Sequence, residues 1–402
     1  MKLLHTADWH LGHRLHEHSQ QEEQQLFLEW LTKQIDVLDV DVLLISGDVY
    51  DTGVPSTQSQ KMYYDFLINL QKTNCSHVVI TGGNHDAPGT INAPKALLQA
   101  LSIHVVGKAT EDIADEVFEL SVGEEHVIIA AVPYLRDQDI RRAVAGESFD
   151  QITDRYKTAL VTHYSEAANY CNTLQKEHTP IIAMGHLFAI GGSTSDSEQN
   201  IYVGTLGHIG AEDFPETFDY IALGHLHRPQ IVGGYDHIRY SGSPNILSFS
   251  EIGYDKKMIV LETQKDTIKQ TKEVTIPTFR KVLRVKGTIE ECITKLQEID
   301  TSADTLTTWV EVVLDTTTGI HVDNSEIKKA IEDLNLEVLK VTVKNERTIK
   351  GLEQLIDYSQ SVKELSPVEV FKKKCEEQEV DLAEHPELLD AFQEIVQIVR
   401  EQ

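Results

Sequence analysis

The chain has 402 residues, of which 41% are hydrophobic and 25% charged, and its 64 acidic and 36 basic side chains leave a net charge of −28. The length exceeds one simple core and implies two or three domains, and the composition is that of a soluble globular protein. A charge this negative excludes a protein whose main task is to grip nucleic acid unaided; a nuclease is compatible only if metal ions or a basic partner screen the phosphates.

The opening "MKLLHTADWH" has too short an apolar run, and too early a His and Asp, for a signal peptide. No run approaches the ~18 apolar residues of a membrane span. Cys75, Cys171, Cys292 and Cys375 are scattered with no Cys-x-x-Cys pair, which argues against disulfides or a zinc knuckle and fits a reducing cytoplasm.

Over residues 1–275 short apolar strands alternate with helical stretches. "KLLHTADWH" reads as a strand entering a polar loop, and "EEQQLFLEWLTKQIDVL" carries apolar residues at helical spacing. "DVLLISGDVYD" is a buried strand ending in Gly-Asp; "QKMYYDFLINLQK" is helical; "HVVITGGNHD" is again strand then polar loop. "VIIAAVPYL", "PIIAMGHLF" and "DYIALGHLH" follow as strands. This alternation predicts an α/β fold, with strands buried on both faces because their apolarity is continuous. From Pro277 the texture changes to a small α+β unit: strand "FRKVLRVKG", helix "TIEECITKLQEID", strand "TTWVEVVLD", helix "NSEIKKAIEDLN", strand "LEVLKVTVK". After Asn345, "SPVEVFKKKCEEQEVD" and "PELLDAFQEIVQIVREQ" read as two amphipathic helices whose apolar faces need cover, from a partner or from the parent domain. The predicted division is 1–275, 276–345 and 346–402.

Five strands end in a polar loop: Asp8 and His10 in "ADWHLG", Asp48 in "SGDVYD", Asn84, His85 and Asp86 in "GGNHD", His186 in "MGHLF", His225 and His227 in "LGHLHRP". Ligands of α/β sheets gather beyond strand C-termini, so these loops can converge. Each alone is an ordinary turn, since Gly, Asn and Asp are common there. Spacing of two, in Asp8-x-His10 and His225-x-His227, predicts that both side chains face one way from an extended segment. The mixed set of imidazoles, carboxylates and an amide suits transition-metal ions. Seven such ligands are too many for one ion and fit two, ~3.5–4 Å apart, with a bridging carboxylate. The remaining histidines read as solvated or locally satisfied, with His13 and His16 set apart because they lie in the first of these loops.

The order Asp-x-His, Gly-Asp, Gly-Asn-His-Asp, Gly-His, Gly-His-x-His resembles that of the calcineurin-like metallophosphoesterases. "GHLFAIGGSTSDSE", "FDYIALGHLHRPQ" and "YSGSPNILSFSE" further resemble the nuclease-subunit family of bacterial SbcCD complexes; the motifs cover residues 5–230, and the C-terminal third matches in layout only. The resemblance implies a metallophosphoesterase β-sandwich flanked by helices, with a small α+β capping domain and a C-terminal helical segment. It implies that Asp8, His10 and His227 hold one metal, that Asn84, His186 and His225 hold a second, and that Asp48 bridges them. Manganese is the implied ion. His85 would stand beside the scissile phosphate, oriented by Asp86. Archaeal and eukaryotic relatives place a second histidine after Gly-Asp; this chain has Asp51, so no second catalytic imidazole is assigned.

The implied chemistry is phosphodiester hydrolysis by a water activated at two metals, with His85 assisting. The implied partners are DNA (duplex ends, hairpins and single strands), an SbcC-type coiled-coil ATPase, and a second copy of the chain within a heterotetramer, with roles in DNA repair, recombination and replication. The predicted ATPase-binding segment is the helical tail, roughly 363–401, and helices near "QKMYYDFLINL" and "APKALLQALS" are a candidate dimer surface with a core role as the alternative. His13-Arg14, the "GGSTSDSE" loop, Arg228 and Lys256-Lys257 are candidates for touching phosphates. A small-molecule phosphatase and a non-catalytic scaffold are the rival readings; the extra C-terminal modules argue against the first and the intact ligand set against the second.

Overall fold

Continuously apolar runs such as "DVLLIS" need cover on both faces. In the computed structural model, which describes residues 1–136, 139, 149–176, 179–190, 209–264, 267–316 and 325–345, that cover comes from two stacked sheets and the helices outside them. The first six-stranded sheet runs in the order Thr267–Thr275, Lys257–Gln264, Lys2–Thr6, Val42–Ser46, His77–Thr81, Ile103–Val106, and its last four strands are parallel. The second runs Gln230–Val232, Tyr235–Tyr240, Tyr220–Gly224, Ile181–His186, Glu125–Ala131, Val117–Val122, with the middle four parallel.

Alternation along each strand divides the core. Leu3, Val42, Leu44 and Val79 meet Ile129, Ile182, Met184 and Ala222 between the sheets. Leu4, Leu43, Ile45 and Ile80 cluster instead with Phe27, Leu31 and Phe66 of the helices Gln21–Leu38 and Thr57–Leu70. The second of these helices begins where the Ser56 hydroxyl accepts the Ser59 N–H. The α/β fold is thus the one expected. Several elements escaped the sequence reading, among them the strands Val117–Val122, Tyr235–Tyr240, Lys257–Gln264 and Thr267–Thr275 and, the largest, the 26-residue helix Phe149–Leu174, which covers the outer face of the second sheet. Its signal was present in Tyr156, Leu160, Tyr164, Ala168 and Cys171, which are buried at helical spacing.

The strands Val282–Gly287, Thr308–Thr316 and Leu336–Asn345 form a separate three-stranded sheet. The first two are parallel and joined through the helix Ile289–Gln297, whose "TIEE" start is a capping box: Thr288 accepts the Glu291 N–H and Glu291 accepts the Thr288 N–H. Val282 and Trp309 pack on Leu15 and Phe249. Arg280 stacks over Trp309 at 4.1 Å and donates to Glu22 at 2.8 Å. Residues Met1–Leu314 and Asp323–Thr342 form one compact unit; the other unit, Asp315–Val322 with Val343–Gln402, lies almost wholly outside the described residues, as do the anticipated helical tail and its ATPase-binding segment. Cys75, Cys171 and Cys292 are free thiols, and among the described residues no helix is long and apolar enough to cross a membrane.

The sheets are also tied by polar contacts near the site. His5, fully buried, donates from Nε2 to the Leu223 carbonyl (3.2 Å) and accepts at Nδ1 from the Tyr220 hydroxyl (3.1 Å). Only the neutral imidazole can do both, and burial pulls its pKa down to about 3. Because the folded pKa lies below the unfolded one, His5 favours the folded state fully above about pH 6.5 and loses that contribution as pH falls, at roughly 1.4 kcal/mol per pH unit. His5→Phe should therefore flatten the fall of unfolding temperature between pH 6.5 and 4, as read by thermal melts of both proteins; an unchanged slope would reject this role.

Candidate active site

The parallel strands of both sheets deliver their C-terminal ends to one place, and the anticipated residues meet there. Asp8, His10 and His227 bring one donor atom each within 4.8 Å of one another, and so do Asp48, His186 and His225. Asp48 Oδ2 lies between the groups, 3.2 Å from His186 Nε2 and 3.6 Å from His10 Nε2. Asn84 Oδ1 is 2.9 Å from His186 Nε2 and 3.0 Å from His225 Nδ1.

The backbone achieves this differently from the expectation. Asp8 (φ 53°), His10 (φ 46°), Asp48 (φ 49°) and His225 (φ 104°) all have positive φ, so the Asp-x-His and His-x-His pairs do not sit on extended segments. Such conformations cost of order 1–3 kcal/mol each and persist where surrounding structure imposes them. The supports are visible: Asp8 N–H donates to Gly47 O, His10 N–H to Asp48 O, and His225 N–H to Asp8 Oδ1. Close approach also demands glycine. A Cβ on Gly83 would collide with Asp48, and one on Gly224 with the Ser46 carbonyl.

Each imidazole has an assigned face. His186 Nδ1 donates to Ser46 O (3.0 Å), His227 Nδ1 to Glu251 Oε1 (3.0 Å), and His10 Nδ1 lies 3.3 Å from Asp51 Oδ1. Carbonyls and carboxylates only accept, so in the neutral forms of His186 and His227 the proton sits on Nδ1 and Nε2 is the atom left for a cation. Burial pulls His10 down to about 4 and, with His186, His225 down to about 3. Burial would lower His186 too, but Asp48 holds it up at about 9. Burial raises Asp8 above the usual carboxylate range, whereas for Asp48 the opposing pull of His186 dominates and holds it below.

These donors fit divalent cations. Asp8 Oδ2 and His10 Nε2 are buried without a hydrogen-bond partner, and His186 Nε2 faces two oxygens. Unsatisfied buried groups cost about 1–3 kcal/mol each, and a cation among them removes that penalty.

His85 is half-buried beside this cluster, its ring 4.8 Å from that of His10. Its Nδ1 donates to the Asp51 carbonyl (2.7 Å) and its N–H to Asp48 Oδ1 (2.8 Å), leaving Nε2 as the ring's other nitrogen for chemistry. Here the expectation for Asp86 needs correction. Its buried carboxylate does not orient the His85 ring but accepts backbone N–H groups from Gly83 (2.9 Å), Tyr50 (3.0 Å) and Val49 (3.1 Å), locking two ligand loops together. Asp51, where a second histidine was considered, accepts from His13 Nδ1 (2.7 Å).

Two supporting residues were missed, Arg136 and Glu251, and a third, Lys256, was given another role. Arg136 brackets the Asn84-His85 turn by donating to Asp86 O (2.6 Å) and Gly83 O (3.4 Å). Glu251 and Lys256 form a buried pair behind His227. Lys256 is accordingly not a phosphate contact: its Nζ is buried against Glu251 (2.6 Å) and Ser243 (2.8 Å). Of the other candidates, Arg14 donates to Glu17 O, Lys257 pairs with Glu273 (2.5 Å), Arg228 lies over Tyr254, and the "GGSTSDSE" loop is outside the described residues.

Comparison with known proteins agrees with this geometry. Residues 1–229 match the calcineurin-like phosphoesterase family model. The chain belongs to the calcineurin-like phosphoesterase family. All nine anticipated site residues fall inside that phosphoesterase match, whereas Glu251 and Lys256 lie beyond it. Residues 278–379 match a second model, the type 5 capsule protein repressor C-terminal domain. Full-length relatives of this phosphoesterase include the SbcD subunit of the nuclease SbcCD from Escherichia coli K12, 32% identical over 98% of this chain and 97% of the relative. The SbcD subunits of Rhodobacter capsulatus (35% identical, over 65% of this chain and 66% of the relative) and Bacillus subtilis (30%, over 71% and 72%) are also similar.

Proposed function

We propose that the chain is a metal-dependent DNA nuclease, the cutting subunit of an SbcCD-type complex. The observation that carries this reading is the pair of donor groups at the strand ends, Asp8–His10–His227 and Asp48–His186–His225, with Asp48 between them. Asp8, His10 and His227 would hold one ion, Asn84, His186 and His225 the other, and Asp48 would bridge. When bound, the two ions, Mn²⁺ on the family resemblance and compatible with the N/O donor set, would supply Lewis acidity toward water and phosphate oxygens. His85 stabilises the reacting phosphate or protonates the leaving oxygen through Nε2, because Nδ1 is committed to Asp51 O. Asp86 and Arg136 act as positioning residues for the loop that carries Asn84 and His85.

The net charge of −28 supports a division of labour in which an SbcC-type ATPase supplies much of the DNA grip. On this reading residues 1–275 are the nuclease domain, 276–345 a cap that helps select DNA ends, and 346–402 the ATPase-binding segment. The gap between the two family matches, 230–277, supports a division near 276, and the second match continues through the 345 boundary. Ile68, Leu97 and Leu101 leave apolar side chains exposed on the helices at Thr57–Leu70 and near Lys95–Gln99, while Met62, Phe66 and Leu98 are core; the exposed three favour pairing of two copies there. The setting would be the bacterial cytoplasm, at the nucleoid.

The test is cleavage of a DNA hairpin by the purified chain, with and without the ATPase, in Mn²⁺, Mg²⁺ or EDTA. Mn²⁺-dependent cutting supports the proposal. Hydrolysis of a chromogenic phosphate ester with no DNA cut under any condition would replace it with the phosphatase reading.

A further inference from the structure

We infer that Glu251 is a positioning residue for the first ion site: it fixes the His227 ring with its proton on Nδ1, so that Nε2 is the atom offered to the ion, and Lys256 holds Glu251 in place to do so. The inference rests on the two-ion reading above and deepens it.

Glu251 is fully buried, and its carboxylate is fully engaged. Oε1 accepts from His227 Nδ1 at 3.0 Å; Oε2 accepts from Lys256 Nζ at 2.6 Å, the Leu247 N–H at 3.1 Å and Ser243 Oγ at 3.4 Å. Lys256, itself buried, donates further to Ser243 Oγ at 2.8 Å and His227 O at 3.4 Å, so the pair grips both the ring and the backbone of His227. A buried ion pair is a poor source of stability, because desolvation offsets the attraction. Its presence behind a ligand is better accounted for by what it does to that ligand. An anionic acceptor on Nδ1 selects one tautomer, fixes the ring plane and makes the opposite nitrogen a stronger donor.

The other rings are held differently. His186 is fixed by a backbone carbonyl, Ser46 O, and His10 faces the partly exposed Asp51 at the longer distance of 3.3 Å. Removal of the Glu251 charge should therefore disturb the Asp8–His10–His227 site and spare the Asp48–His186–His225 site.

The experiment is titration of the full chain with Mn²⁺ alone, with free ion followed by electron paramagnetic resonance, for wild type and Glu251→Gln. Wild type should bind two ions. The variant should keep one at wild-type affinity and bind the other about 10- to 100-fold more weakly. Should Lys256, left without its counter-ion, prevent folding, the double variant Glu251→Gln/Lys256→Met removes both charges, and the same selective loss is expected in it at a wild-type unfolding temperature. A folded variant that binds both ions with wild-type affinity would overturn the inference. A wild-type chain that binds fewer than two ions would overturn the two-ion reading beneath it, and this would be seen before any substitution is made.

Discussion

Replacing His85 by glutamine is expected to lower DNA cleavage by about 10²- to 10⁴-fold while metal content and unfolding temperature stay at wild-type values. The imidazole is held by one hydrogen bond, Nδ1 to the Asp51 carbonyl; it comes within 4.8 Å of donor atoms of His10 and Asp51 but is assigned to neither proposed ion site. Glutamine can still donate to that carbonyl with its amide, so the loop should keep its shape. What it cannot do is carry a proton near neutrality to a phosphate or leaving oxygen. The measurement is hairpin cleavage in Mn²⁺ beside ion counting on the same preparation. Full activity in the variant would remove His85 from the chemistry; loss of an ion together with activity would make it a structural residue instead.

Asp48→Ala should have the opposite profile, with both ion binding and cleavage lost. Asp48 Oδ2 stands between His186 and His10, and Oδ1 accepts the His85 N–H at 2.8 Å. One substitution therefore removes the bridge, leaves His186 without the carboxylate that holds its charge, and frees the Asn84-His85 turn. We expect cleavage to fall by more than about 10³-fold, equivalent to more than about 4 kcal/mol of transition-state stabilisation. The Mn²⁺ titration should fall from two ions to one at most. Retention of both ions would mean that the two sites are independent and that Asp48 bridges nothing.

Much of this site was legible before any coordinates. Asp8, His10, Asp48, Asn84, His186, His225 and His227 each lie at the end of a buried strand, and the strand-to-loop change is a local signal carried by a run of apolar residues ending in a ligand-type side chain, after a glycine in all but the first strand. The small α+β unit was visible for the same reason, through period-two and helical patterns and the "TIEE" capping box. The helix Phe149–Leu174 was missed because its buried stripe relies on tyrosines and on small residues, Ala167, Ala168 and Cys171, which mark a helix face less sharply than leucine or isoleucine.

What the sequence determined by itself was the part of the inventory that builds the site: the buried strands that end in ligand-type residues, their order, and the side chains at their ends. Neighbours within a few residues of one another dictate that part. The tertiary structure alone decided how the inventory is wired. His186 meets Ser46, His227 meets Glu251, and Asp86 ties Gly83 to the Val49-Tyr50 turn because two sheets bring distant loops within hydrogen-bond reach. The same packing imposes positive φ on Asp8, His10, Asp48 and His225, which an isolated segment would not adopt. It also reassigned Asp86 from the ring of His85 to the backbone and drew Lys256 out of solvent into the pair behind His227. A hydrogen bond is decided at a few tenths of an ångström between groups far apart in the chain, and no local pattern encodes that distance.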